Sequence, residues 1–157
     1  MSLYLLIKTL HVVSSVVLVG TGFGTAFYLF CVNRTRNVIA ITLVARFVVR
    51  ADYWFTTPAV VIQPVSGLWL VHMAGWPWTT PWIVAAVGLY VFAGLCWLPV
   101  VWLQIGMENM ASEALSRQDT VLPSKYWAYA QYWEWLGYPA FAAMLAVFWL
   151  MVSKPSL

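Results

Sequence analysis

The sequence predicts an all-α fold: a polytopic membrane protein, built as a four-transmembrane-helix bundle in one integral membrane domain spanning residues 1–157. Three observations predict it. First, 63% of the residues are hydrophobic and only 8% are charged, too few charges to coat a water-soluble domain. Second, the apolar residues gather into four runs of about 20 residues or more, the length needed to cross the hydrocarbon core. Third, most basic residues gather in two of the three links between these runs, the pattern that sets orientation in a bilayer.

The first run extends from about Leu3 to Val32. It has no basic segment before the apolar stretch and no small-residue cleavage site, so it reads as a retained helix and not as a signal peptide. Lys8, His11, Ser15, Leu18, Gly22 and Thr25 recur every three or four residues and share one helical face. That face is small and polar and should look into the bundle. Gly20 and Gly24 have the small-xxx-small spacing that lets a second helix approach closely.

The second run extends from about Tyr53 to Gly75 and contains Pro58 and Pro64, which predict a kink. Before it lies Val38–Arg50, either an amphipathic helix on the inner interface or an extension of the second helix. Asp52 follows Arg50 by two residues, and an Arg50–Asp52 contact would neutralise a carboxylate near lipid. Asp52, Glu108 and Glu134 with Arg46 and Arg50 read as a solvated or neutralised charge cluster. The sharper alternative is a site of proton entry.

Trp76–Thr80 forms a tight hairpin into the third run, about Pro81 to Gly106, which holds Pro99 and Gln104. The fourth run, about Trp135 to Val152, follows Trp133-Glu134-Trp135 and contains Pro139 and Met144. Trp76, Trp78 and Trp82 at one boundary, and Trp127, Trp133 and Trp135 at the other, read as interfacial aromatic belts. Cys31 and Cys96 lie at different depths and outside any CxxC pair, so they read as free packing residues.

Arg34, Arg36, Arg46 and Arg50 fall in the first link, and Arg117 and Lys125 in the third. Those links should face the cytoplasm and both termini the outside. The net charge of +3 has this cause and carries no signal for nucleic acid. Zinc-protease, thiol-redox and phosphate-loop motifs are absent from the sequence.

The chain has two histidines, His11 and His72. An ionisable side chain within a membrane span is a functional candidate by default, and neutral imidazole is a common haem ligand. The first two helices run antiparallel, so both histidines belong to the outer half. An axial haem-iron site on His11, with His72 as a second ligand, is the expectation. Lys8, one turn from His11, could meet a propionate, and Ser14 and Ser15 could tune the site; Lys8 could equally snorkel outward, and His72 could sit at the headgroups. His72 and Gln63 are nine residues apart and point to opposite sides of an ideal helix, which counts against a shared face.

The opening Leu3-Tyr4-Leu5-Leu6-Ile7-Lys8-Thr9-Leu10-His11 resembles the first helix of the HemJ-type membrane protoporphyrinogen oxidases, with its Lys-x-x-His start. Over nearly its full length the chain more closely resembles an uncharacterised bacterial family of small four-helix integral membrane proteins. That resemblance rests on Lys-x-x-His, Gly20-Thr21-Gly22-Phe23-Gly24, Arg50-Ala51-Asp52, Trp97-Leu98-Pro99-Val100-Val101 and Gly137-Tyr138-Pro139-Ala140-Phe141. The HemJ-type resemblance implies haem b on His11, and the bacterial family implies residence in the bacterial inner membrane. The leading expectation is a membrane b-haem redox protein that exchanges electrons with quinone or oxidises a porphyrinogen. The alternative is a non-enzymatic small subunit or scaffold, as a homo-oligomer or within a larger membrane complex. A transporter is the weaker third reading, since no inverted repeat is visible.

Overall fold

A computed structural model describes residues 2–155. Helix α1 spans Leu3–Thr35, α2 Val38–Ala51, α3 Thr57–Met73, α4 Pro81–Ser116 and α5 Ser124–Ser153. A π-helical turn, Asp52–Thr56, joins α2 to α3 without a break. Val38–Met73 is therefore one helical rod, and Val38–Arg50 is an extension of the second apolar run.

Local chemistry sets these limits. Ser2 caps α1, its side chain accepting from the Leu5 N–H. Arg36 closes that helix in the left-handed region, φ 57°, and Asn37 caps α2 through the Ala40 N–H at 3.0 Å. Pro81 opens α4 at a position where its missing N–H costs nothing. The π turn ends just before Pro58. A proline ring clashes with the carbonyl four residues earlier, and a wider turn relieves that crowding. The Asp52 carbonyl accepts instead from the Thr57 N–H, five residues on, and from Thr57 Oγ1 at 2.9 Å.

The helices run past the apolar runs at several ends. Hydropathy marks what enters hydrocarbon, whereas a backbone stays helical until something caps or breaks it. The third link thus shrinks to the few residues between Ser116 and Ser124, and the first to Arg36 and Asn37.

Helices α4 and α5 pack along each other, α1 lies against α3, and α2 against α4; α1 and α5 barely touch. The main core lies at the end holding the two basic links, where Leu29, Ile41, Met107 and Tyr126 are almost wholly buried. Two hydrogen bonds fix it: Thr42 Oγ1 to the Ala111 carbonyl at 3.0 Å, and Tyr126 OH to Asn33 Oδ1 at 2.7 Å. At the opposite end a smaller cluster joins Trp82, Ile83 and Ala86 to Val147 and Leu150. Large apolar side chains face outward, with Val16, Trp54, Leu95 and Trp149 each at least 60% exposed. That is the surface of a protein solvated by lipid. Three helices, α1, α4 and α5, are each long and apolar enough to cross a bilayer. The fold is all-α, with several long apolar helices arranged as a polytopic membrane bundle.

Three sequence expectations are corrected here. A Cβ at Gly20 or Gly24 would meet nothing within 4 Å, so no helix of this chain packs on that pair. Arg50 is exposed and forms no ion pair with Asp52; Arg46 pairs with Glu108 at 3.4 Å. Trp82 and Trp133 are buried and belong to the packing, while Trp76, Trp78 and Trp135 are exposed. Neither cysteine is bonded.

Candidate functional site

Two polar clusters occupy the interior. The first joins α1 to α3 around His11. Ser66 gives its single hydroxyl proton to the Ile62 carbonyl at 2.6 Å, so it can only accept from His11 Nδ1–H at 2.9 Å. His11 Nε2 then carries the lone pair and accepts from the Gln63 amide at 3.2 Å. Ser14 donates to Gln63 Oε1, which closes the network. The ring points its Cε1 corner at Gly67, where a Cβ would come within 2.9 Å of His11 Cε1. Only a glycine admits the imidazole there.

The remaining candidates stand apart from this cluster. His72 is exposed in the last turn of α3. It lies five residues beyond Gly67, rotated by about 140° past a full turn from the face that meets α1. Lys8 is exposed, its ammonium 5.9 Å from the Tyr4 ring. Of the two serines expected near the site, Ser14 supports the histidine network, while Ser15 is buried and donates to the Val12 carbonyl at 2.7 Å. Gln63 and Ser66, three residues apart, supply both partners of the ring.

The second cluster sits at the π turn. Asp52 is 5% exposed. Its Oδ1 accepts from Thr56 Oγ1 at 2.8 Å. With the Gln104 amide oriented to satisfy both its ends, its nitrogen donates to Asp52 Oδ2 at 2.8 Å and its oxygen accepts from Trp133 Nε1 at 3.2 Å. A chain of neutral donors thus links the α2–α3 rod to α4 and α5.

This second cluster borders a cavity of about 400 Å³ in the seam between α1 and α5. Leu18, Gly22, Val60, Ala93, Trp97 and Met144 line its apolar walls. Asp52, Thr56, Gln104 and Glu134 form its polar part. Phe23 and Phe141, whose rings stack at 5.0 Å, bridge the seam. Phe23 and Tyr138 line the cavity yet are more than half exposed, so it opens sideways to the surroundings of the bundle. The glycines Gly22, Gly94 and Gly137 keep it wide, since a Cβ on any of them would meet nothing within 4 Å.

Neither histidine lines this cavity. His11 has the tautomer a metal ligand uses, with Nδ1–H donated to an oriented acceptor. Its Nε2 lone pair, however, is capped by Gln63, and His72 faces elsewhere. Among the described residues no three of His, Cys, Asp and Glu converge on a metal position. As they stand, these residues do not fit a haem held between His11 and His72.

Fold and interior together define a class: a multi-pass α-helical membrane protein with a lipid-accessible internal cavity. Residues 5–155 match the family model described as "Predicted integral membrane protein (DUF2269)", and the chain belongs to that family. No curated protein and no solved structure matches it.

Proposed function

We propose that this chain crosses the bilayer four times and holds a membrane-soluble small molecule in the cavity between α1 and α5. The observation that carries the proposal is the cavity itself. It has the volume of a small-molecule site, mostly apolar walls and one hydrogen-bonded polar cluster, Asp52, Thr56 and Gln104, on its border. Support for the fourth crossing is the unbroken helical rod Val38–Met73, whose α3 part is apolar except for Thr57, Gln63, Ser66 and, in its last turn, His72. With the basic links on the cytoplasmic side, the two termini face outward.

Quinone, the redox partner expected from the sequence, belongs to the class of ligand this cavity suits. A porphyrinogen or a haem at His11 requires Gln63 to leave the imidazole, and is the less supported reading. The scaffold alternative makes no use of the cavity.

The test uses the full chain in lipid nanodiscs, with empty nanodiscs subtracted. Binding isotherms are recorded for two membrane-soluble probes, neutral decylubiquinone and cationic tetraphenylphosphonium. Saturable binding of either probe is expected, and it should be lost in the cavity-filling variant Gly94→Leu/Gly137→Leu, which keeps its thermal transition. Absence of saturable binding by both probes, or binding indifferent to the filled cavity, overturns the proposal. An absorption spectrum of the same sample with a Soret band dependent on His11 would move the function to haem.

A further inference from the structure

We infer that the cavity takes an organic cation: an apolar, aryl- or alkyl-bearing body with one positive centre, seated with that centre toward Asp52 and Glu134. This inference rests on the cavity reading above and names its ligand class. Two independent features carry it.

The first is charge. Two carboxyl groups, Asp52 and Glu134, line the cavity, and no lysine, arginine or histidine does. The ion pairs among the described residues are Arg46–Glu108 and Arg117–Glu113, so neither cavity carboxyl is neutralised by the protein. Arg46 and Arg50 border a separate shallow pocket with Glu108. The Asp52 carboxyl is held in place on both oxygens by neutral donors, Thr56 and Gln104. Such hydrogen bonds orient a carboxylate and leave lone pairs for a further donor. A buried carboxylate without a counter-charge is unfavourable in a low-dielectric site, and a ligand that brings the positive charge removes that cost.

The second is the wall. Phe23, Phe27, Tyr90, Trp97, Trp133 and Phe141 all border the same space. Aromatic faces carry negative electrostatic potential and attract a desolvated cation, organic ammonium groups above all. The Tyr90 hydroxyl is already committed to the Val60 carbonyl at 2.7 Å, and the Trp133 N–H to Gln104. Beside Asp52 these donors are spent, while carboxylate lone pairs are left; the Trp97 N–H and Tyr138 OH line the cavity elsewhere. A quinone carbonyl is held by donors, whereas a cation is held by acceptors and π faces; the two carboxyls and the aromatic wall favour the cation.

The experiment compares the two probes on the wild type, Asp52→Asn and Glu134→Gln in phosphatidylcholine nanodiscs. The wild type should bind tetraphenylphosphonium about tenfold or more tightly than decylubiquinone. Asp52→Asn should weaken the cation about tenfold or more while leaving the neutral probe unchanged. Equal affinity for the two probes, or undiminished cation binding in a folded Asp52→Asn protein, overturns the inference and leaves the cavity reading standing. Failure of both probes on the wild type overturns that reading itself. Should Asp52→Asn lose its thermal transition, the wild-type preference and the Glu134→Gln isotherm decide. A preference below about threefold that Glu134→Gln leaves unchanged also overturns the inference.

Discussion

The two polar clusters differ in what surrounds them. The His11 cluster lies half-buried in the α1–α3 seam, where each ring nitrogen has one partner and the Cε1 corner of the ring meets Gly67. The Asp52 cluster is as well hydrogen-bonded, but one side of it is open space. The His11 network holds α1 to α3 and borders no part of the cavity. A satisfied network on the wall of a cavity can hold helices together and also meet a ligand. Rarity in the sequence picked out a residue that joins two helices, while the carboxyls that line the cavity are an ordinary aspartate and glutamate.

The largest effect expected from this contrast is at Gly67. Gly67→Leu drives a side chain into the imidazole and should cost about 3 kcal/mol or more, as overpacking at a close contact does. Thermal unfolding in detergent measures it. His11→Ala should cost about 2 kcal/mol by leaving Gln63 without its acceptor and opening a void. In the pair His11→Ala/Gly67→Ala the two losses should be less than additive, because the clash at Gly67 is with the His11 ring. Additive losses would mean that the two residues do not touch.

An intermediate effect is expected at Gln104. Gln104→Leu removes a donor from Asp52 and an acceptor from Trp133 at once, and should cost about 2 kcal/mol. Unlike His11→Ala, it should also alter binding of the cationic probe. If His11→Ala changes that binding as much as Gln104→Leu does, the two clusters form one site.

The smallest effects are expected where the sequence promised large ones. Gly20→Leu and Gly24→Leu should be neutral, or stabilising by up to about 1 kcal/mol, because nothing crowds either position and glycine is a poor helix former. His72→Ala should stay within about 0.5 kcal/mol, as exposed substitutions do. Thermal shift across the set would show it. A loss above 2 kcal/mol in either glycine variant would point to a second copy packed on that face.

The helical fold class was legible because a membrane span is a property of consecutive residues, and composition alone reveals it. The inward face of α1 was legible for the same reason. His11, Ser15 and Leu18 recur at helical spacing, and the structure turns that face inward while leaving Lys8 exposed. The partners were not legible. Gln104 and Trp133 lie far along the chain from Asp52, and only the pairing of α4 with α5 beside the π turn brings them there. Proximity in sequence suggested Arg50 instead, but on a helix two residues apart point to different sides. The volume between α1 and α5 had no sequence signal, since it comes from two helices that barely touch. Gly22, Gly94 and Gly137 mark it only once their neighbours are known.

The π turn at Asp52–Thr56 has one more consequence. A wide turn carries one residue more than the turn it replaces, and one residue is about 100° of rotation. It therefore sets the phase between two helices that serve different neighbours. Upstream, Ile41, Thr42 and Ala45 meet α4; downstream, Gln63, Ser66 and Gly67 meet α1. Deleting a single residue within 52–56 would leave a perfectly regular helix, and every α3 side chain would point the wrong way. The segment should thus tolerate exchange of its side chains far better than any change in its length.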